Sequence, residues 1–352
     1  MSKFYITTPI YYVNDIASIG HAYTTIAADV LARWHRLLGD DVFFLAGLDE
    51  NSQKTITAAK KLGVKDIKAY TDTMAKKWQQ TWKTLEISND DFIRTTEERH
   101  KKVVEEFFMK VMSKGDIYKG NYEGLYCEGC EDFVKETDLV QGKCQYHKTE
   151  PKKISEENYF FKLSKYQKQV LTHIQKNPEF VGPTSRRNEV ISFIEQGLKD
   201  ISISRPITDW GIPLPIDKEH VFWVWFDALI NYISATPKYW PAQVQLMGKD
   251  IIKFHCIIFP AMLLSAGYKL PERLFAHGFL TRDGQKMSKS LGNVVDPLQI
   301  AKDYGVDTLR YYLLREIPFG QDGDFSETAL KARLNNELNT DIGNLVSRVL
   351  TL

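Results

Sequence analysis

KFYITTPIYYVNDIASIGHAYTTIAADVLARWHRLLGDDVFFLA, residues 3–46, decides the fold. Lys3–Thr7 is a short apolar run of strand length, and Pro9 to Asp15 reads as a turn-rich loop. Ala22, Ile26, Val30, Leu31, Trp34, Leu37 and Leu38 then recur at helical spacing, and Gly39 ends the helix. Val42–Ala46 is a second apolar run. Strand, loop, helix, strand is one βαβ unit, which predicts an α/β protein built on a Rossmann-like, doubly wound parallel sheet. Ligands of such sheets sit beyond the carboxyl ends of the strands, so residues 8–21 and 47–53 are expected to line one site.

Working outward, residues 55–115 read as helical and amphipathic. From about 116 the texture changes, with aromatic, glycine and charged residues crowded around cysteines, and this predicts an insertion that splits the sheet and runs to 222. Leu246–Asp250 and Leu274–Gly278 look like later pieces of the parallel core, and helical periodicity returns from Glu327 to the end. The chain has 352 residues, 43% hydrophobic and 26% charged, which fits a globular protein of more than one domain. A net charge of +1 gives no global argument for nucleic acid, so any such surface must be a local patch. The amino terminus lacks a basic segment followed by a long apolar run, so no secretory signal is expected. The longest apolar run, Cys256 to Leu264, contains Pro260 and is too short to span a bilayer. Four cysteines including a C-x-x-C pair suggest a metal in a reducing cytoplasm rather than disulfides.

Several clusters carry chemistry. Ser18-Ile19-Gly20-His21 falls between strand and helix, where a glycine lets backbone approach a phosphate and His21 can donate to it. Taken alone, a single histidine there is more often a structural hydrogen bonder. Lys286-Met287-Ser288-Lys289-Ser290, with Gly284 and Gly292 on either side, suits a clamp on a polyphosphate, although a bare K-x-x-K is usually a solvated basic loop. Cys127-x₂-Cys130-x₁₃-Cys144-x₂-His147 offers three thiolates and one imidazole, a closed tetrahedral shell for structural zinc. Plain core cysteines and another metal are the alternatives. Asp49 reads either as a ligand-facing carboxylate or as a helix cap, and Trp225–Tyr232 either as a pocket wall or as plain core.

The pentapeptide at 286–290 and the segment at 18–21 resemble the two signatures of class I aminoacyl-tRNA synthetases. The runs TPIYYVND, GHAYTT, FFLAGLDE, WGIPLP, VWFDALINY, GKDIIKFH, HGFLT, KMSKSLGN and LRYYLLREIPFGQDGDFS narrow the resemblance to methionyl-tRNA synthetases. The resemblance implies activation of methionine with ATP and transfer to tRNA(Met). It implies that Ile10 and Asp49 hold the amino group of methionine, and that Tyr12, Trp225, Ala228, Leu229, Tyr232, Ile251 and His255 surround its thioether. Phe259 stands where some members carry tryptophan. Gly20 and His21 are implied to meet the ATP phosphates, Gly248 and Asp250 the ribose, and His277, Gly278, Phe279 and Leu280 the adenine. Ser18, His21, Lys286 and Lys289 are the implied catalytic set, the two lysines also binding ATP, with magnesium accompanying it. The cysteine-rich insertion corresponds to the family's zinc knuckle. Asn344 and Arg348, four apart on one helix face, match anticodon-binding positions.

The implied organisation is 1–115 and 223–275 for the two halves of the Rossmann domain and 116–222 for the connective insertion. A subdomain carrying the lysine motif follows at 276–326, and 327–352 is the first helix of an anticodon-binding domain. That helix would expose Ile342, Leu345, Val346 and Val349, so a partner chain or further segment is expected to cover it. The insertion is too short for the hydrolytic editing domain of the leucine, isoleucine and valine relatives. Two loops depart from the pattern. Ser18 replaces a histidine, and Leu48-Asp49-Glu50-Asn51-Ser52 replaces a segment close to Thr-Asp-Glu-His-Gly. These changes are expected on or near the nucleotide side. They read either as compensated drift or as a weakened activation step, and the latter leaves a synthetase-like protein that binds methionine, ATP or RNA with little charging as the alternative function. A small-substrate nucleotidyltransferase of related fold fits the zinc insertion poorly.

Overall fold

The structure is a computed structural model that describes residues 2–130, 132–134, 136–145, 148–206, 210–287 and 292–352, with the side chains of residues 122, 123, 132, 133, 138 and 286 left out. Strand β1 spans Lys3–Tyr12, helix α1 Ile19–Leu37, strand β2 Asp41–Asp49 and strand β3 Asp91–Arg94. β1 and β2 pair in parallel, as the βαβ reading requires. The main sheet runs β3, β2, β1, then Val244–Gly248, Leu274–His277 and Val181–Gly182, each described pairing parallel. The chain winds outward from β1 through β2 to β3, then returns to the other side of β1. The order therefore reverses between β1 and Val244–Gly248, and that switch point opens a crevice at the carboxyl ends.

Three local expectations need correction. The segment from Pro9 is not a loop until Val13: β1 continues to Tyr12 through a register shift between Thr7 and Ile10. Pro9 lacks the N–H a regular ladder needs, and the bulge accommodates it. The helical stretch 55–115 contains β3, whose four residues are too few to show a period. The apolar stripe on α1 is buried only in its first half. Ala22 and Ile26 are enclosed, while Trp34 is 57% and Leu37 81% exposed, and the small residues Ala27, Ala28 and Ala32 form the rest of the packed face. Gly39, at φ +83°, supplies the left-handed turn after the helix.

α1 is anchored by a buried carboxylate. Asp29 accepts from Arg33 on its own helix (2.7 Å), from the Ser88 amide and hydroxyl (both 2.6 Å), and from Arg310 on the helix Val306–Glu316. One side chain thus ties the first crossover helix to the segment before β3 and to a helix that follows the lysine motif in sequence. With four donors around it, the charge is compensated despite burial.

Within 116–222, Ile117–Cys127, Lys152–Phe161, Asp132–Val134 and Ile201–Ser202 form an antiparallel sheet. Asp116, buried at its root, accepts from Lys165, Tyr166 and Ser265, which fixes the insertion against the helix Phe259–Ala266. Val181–Gly182 lies in this stretch yet adds the outer strand of the main sheet beside Leu274–Phe275. After the main sheet, Leu280–Arg282 pairs with Gln285–Lys286 across a tight turn at Asp283 and Gly284, both left-handed, and lies parallel to Gly323–Phe325. The chain then runs helically from Glu327 to Thr351 through a π-helical stretch at Leu334–Ile342. Among the described residues no helix is long and apolar enough to cross a membrane.

Candidate active site

A cavity of about 880 Å³ opens at the switch point. Its first wall is the start of α1. The Ser18 amide donates to His21 Nδ1 (2.9 Å), and Ser18 Oγ lies 3.0 Å from the same nitrogen. Nδ1 is therefore an acceptor, and the neutral ring carries its proton on Nε2. The ring is held edge-on between Tyr11 and Trp78, with centroids 4.8 and 5.1 Å away. Burial lowers the His21 pKa to about 4, so the imidazole is neutral at pH 7 and serves as a donor without charge. At Gly20 a Cβ would meet only Ser18 Oγ, at 3.8 Å, so the first turn of the helix presents bare backbone to the cavity. This is the chemistry of an anion seat.

The second wall sets a carboxylate beside an apolar, aromatic surface. Asp49 ends β2 in register with Tyr12 of β1, is 3% exposed, and lines the cavity. Its Oδ1 accepts from the Asn51 amide at 3.2 Å. It is not a helix cap: Ser52 caps the next helix, Gln53–Lys61, by accepting from the Thr55 amide. Tyr12 meets Trp225 edge-to-face, and Trp225 is stacked on Phe254 at 3.7 Å. Tyr232 donates from Oη to His255 Nε2 (2.7 Å), because His255 Nδ1 donates to the Ile251 carbonyl (3.1 Å). Burial lowers His255 to about 4 and raises the Tyr232 phenol, so this pair stays uncharged. Ile10, Ala228, Leu229 and Ile251 complete an apolar lining, while Phe259 backs Tyr232 from behind, ring to ring at 5.7 Å.

The third wall holds Gly248, Asp250, His277, Gly278, Phe279 and Leu280. His277 accepts from Thr24 Oγ1 at 2.6 Å and donates from Nδ1 to the Gly278 carbonyl at 2.8 Å, and burial lowers its pKa to about 4. Gly278 has no room for a side chain, since a Cβ would sit 2.3 Å from the Gln321 backbone. That close crossing lets Asp322 accept from the Phe279 amide (2.8 Å) while it pairs with Lys249 (2.7 Å).

The sites expected from sequence at 10, 12, 18, 20, 21, 49, 225, 228, 229, 232, 248, 250, 251, 255 and 277–280 thus face one cavity. Others do not join it. Lys289 lies outside the described residues, as does the side chain of Lys286. Asn51, expected on the nucleotide side, instead donates from Nδ2 to the buried Asp227 (2.8 Å) and does not line the cavity. The reason is its place just past Asp49, where the chain turns under the helix Val224–Ala228. Asn344 and Arg348 are exposed on Gly343–Thr351, with Ile342, Leu345, Val346 and Val349 also exposed. In the insertion, the sulfurs of Cys127, Cys130 and Cys144 lie within 4.8 Å of one another and none is in a disulfide. Cys130 and Cys144 sulfurs are 3.5 Å apart, close to the roughly 3.8 Å spacing of two thiolates on a tetrahedral zinc at 2.3 Å. The described residues therefore fit a metal; His147 lies outside them.

Lys54, Trp78, Asn231 and Asp296 also line the cavity and were not singled out by sequence, and Met287 of the lysine motif lines it too. Trp78 had no signal beyond helical periodicity. Lys54 had one, its place just past the carboxyl end of β2.

Comparison with known proteins follows the same outline. The family model described as tRNA synthetases class I (M) matches residues 4–151 and 130–350. The chain is 52% identical, over 99% of its length, to the methionine–tRNA ligase of Thermotoga maritima, and covers 57% of that protein. It is 51% identical, over 99% of its length, to that of Caldanaerobacter subterraneus subsp. tengcongensis, and covers 56% of it. The chain thus spans little more than half the length of these relatives. It matches the solved Mycobacterium tuberculosis methionyl-tRNA synthetase in complex with methionyl-adenylate with a TM-score of 0.97 at 44% identity, covering 100% of this chain and 72% of that one.

Proposed function

Because this chain belongs to the class I tRNA synthetases of the methionine type, we propose that its cavity joins methionine to ATP, giving methionyl-adenylate and pyrophosphate, and passes the methionyl group to tRNA(Met). The observation that carries this reading is the register pair Asp49 and Tyr12 beside Trp225, Tyr232 and His255, in one cavity with the Gly20–His21 helix start. Asp49 accepts hydrogen bonds from the ammonium of methionine, with Ile10 beside it. The thioether lies among Tyr12, Trp225, Tyr232 and His255, whose rings suit a polarizable sulfur. Adenine sits against His277–Leu280 and ribose against Gly248 and Asp250.

The methionine carboxylate attacks the α-phosphorus, forming the acyl–oxygen–phosphorus link as the bond to pyrophosphate breaks. His21 donates from Nε2 to phosphate oxygens whose charge grows in that step, and Lys286 and Lys289 neutralise it. Magnesium enters as part of the ATP substrate. The 3′-terminal hydroxyl of tRNA then attacks the carbonyl carbon, and AMP leaves. Asn344 and Arg348 are the anticodon contacts of this reading. Cys127, Cys130 and Cys144, with His147, hold a structural zinc that crosslinks the insertion. The reaction belongs in the cytoplasm, and the domain bounds are those read from sequence except that Val181–Gly182, within 116–222, belongs to the main sheet. Methionine-dependent exchange of pyrophosphate into ATP tests the proposal. Exchange that requires methionine and ignores leucine and isoleucine is expected; protein that binds methionine yet never exchanges would overturn it in favour of a binding role.

A further inference from the structure

We propose that Lys54 reads the carboxylate of the amino acid whose ammonium Asp49 holds, so that the two residues together recognise an α-amino acid as a zwitterion. This rests on the methionine reading above. Lys54 stands in the first turn of the helix that follows β2, five residues after Asp49. Its Nζ lies 4.0 Å from the centroid of the Tyr12 ring. Tyr12 is the register partner of Asp49, so the ring that Lys54 covers and the Asp49 carboxylate lie on neighbouring strand ends, and all three line one cavity.

The charge on the rest of the wall strengthens the case. Asp15, Asp49, Asp250 and Asp296 line the cavity, whereas Lys54 is the sole lysine or arginine among the described lining residues. His21, His255 and His277 are held neutral by burial. A carboxylate entering that end is repelled by the acidic groups and attracted by Lys54. The ring face of Tyr12 steadies the ammonium by a cation–π contact, and an ammonium with three donors can still bond a carboxylate. The attacking oxygen loses charge as its bond to phosphorus forms. The contact therefore serves binding more than rate, and its loss should raise KM for methionine with little change in kcat.

Calorimetry with methionine and with methioninol, the alcohol that keeps ammonium and thioether but lacks the carboxylate, separates the roles. Lys54→Met should weaken methionine about 10- to 100-fold, the range of a hydrogen bond to a charged group, and leave methioninol unchanged. Lys54→Arg should keep most of the methionine affinity. Asp49→Ala, by contrast, should weaken both ligands. Equal loss of both in Lys54→Met would mean that the lysine acts only through the position of Tyr12 and would overturn the proposal, as would undiminished methionine binding. A wild-type protein that binds neither ligand removes the methionine reading itself and this inference with it; a wild type that binds both isolates the role of Lys54.

Discussion

Ser18 and His21 hold one another through the Ser18 backbone amide, and that detail decides what the departure at Ser18 means. The amide fixes the tautomer whatever side chain stands at 18. Ser18→Ala is therefore expected to lower the exchange rate less than tenfold, whereas His21→Ala should lower it about 10²–10³-fold, the usual cost of a positioned donor. Equal losses in pyrophosphate exchange would show that the Ser18 hydroxyl, and not its amide alone, is needed at the His21 ring. The same scale explains what sequence could and could not reveal. That residues 8–21 and 47–53 would line one site was legible from topology, because strand end and helix start lie there, but the roles of Asp49 and His21 were implied only by the family resemblance. The partner of Asn51 was not legible, since Asp227 is 176 residues away and no local pattern links them. The substitution at 51 thus bears on how the helix Val224–Ala228 is seated, and an imidazole there would meet Asp227.

Elements add a geometry that residue patterns hide. The turn Phe254–Ile258 is π-helical, and its widened pitch sends neighbouring side chains to related work: Phe254 stacks on Trp225 while His255 bonds Tyr232. A period of 3.6 cannot foretell that. Strands of four and two residues, β3 and Val181–Gly182, were illegible for a similar reason: too short for alternation, they are defined by their neighbours. The cysteine hairpins were legible because ligand spacing is local. There we expect about one equivalent of zinc per chain by elemental analysis. Chelation should lower the melting temperature, with proteolysis beginning in the insertion, since burying thiolates without a cation is costly. Metal-free protein with unchanged melting would refute the knuckle.

At the scale of the whole molecule, the buried histidines couple stability to pH. Burial lowers His255 and His277 to about 4 and His100 to about 3, and partial enclosure lowers the cavity-lining His21 to about 4, against 6.5 when unfolded. The unfolded chain binds more protons between those values, so this stability is fully present above about pH 6.5 and is lost as pH falls toward 4. Each group forfeits up to roughly 3 kcal/mol on the way. Melting temperature should therefore fall steeply from pH 6.5 to 4, and His100→Gln should flatten the slope; a level profile would contradict the buried neutral rings. The sheet order carries one more consequence, for the making of the chain. β1 finds its second neighbour only in Val244–Gly248, with the Tyr5 amide bonded to Gln243 across 238 residues. At roughly 5–20 residues per second, a ribosome leaves that flank of β1 uncovered for about 10–50 s after the strand is made. The first βαβ unit must wait for its partner with Ile6 and an open strand edge exposed, which marks nascent β1 as the place where a chaperone has most to protect.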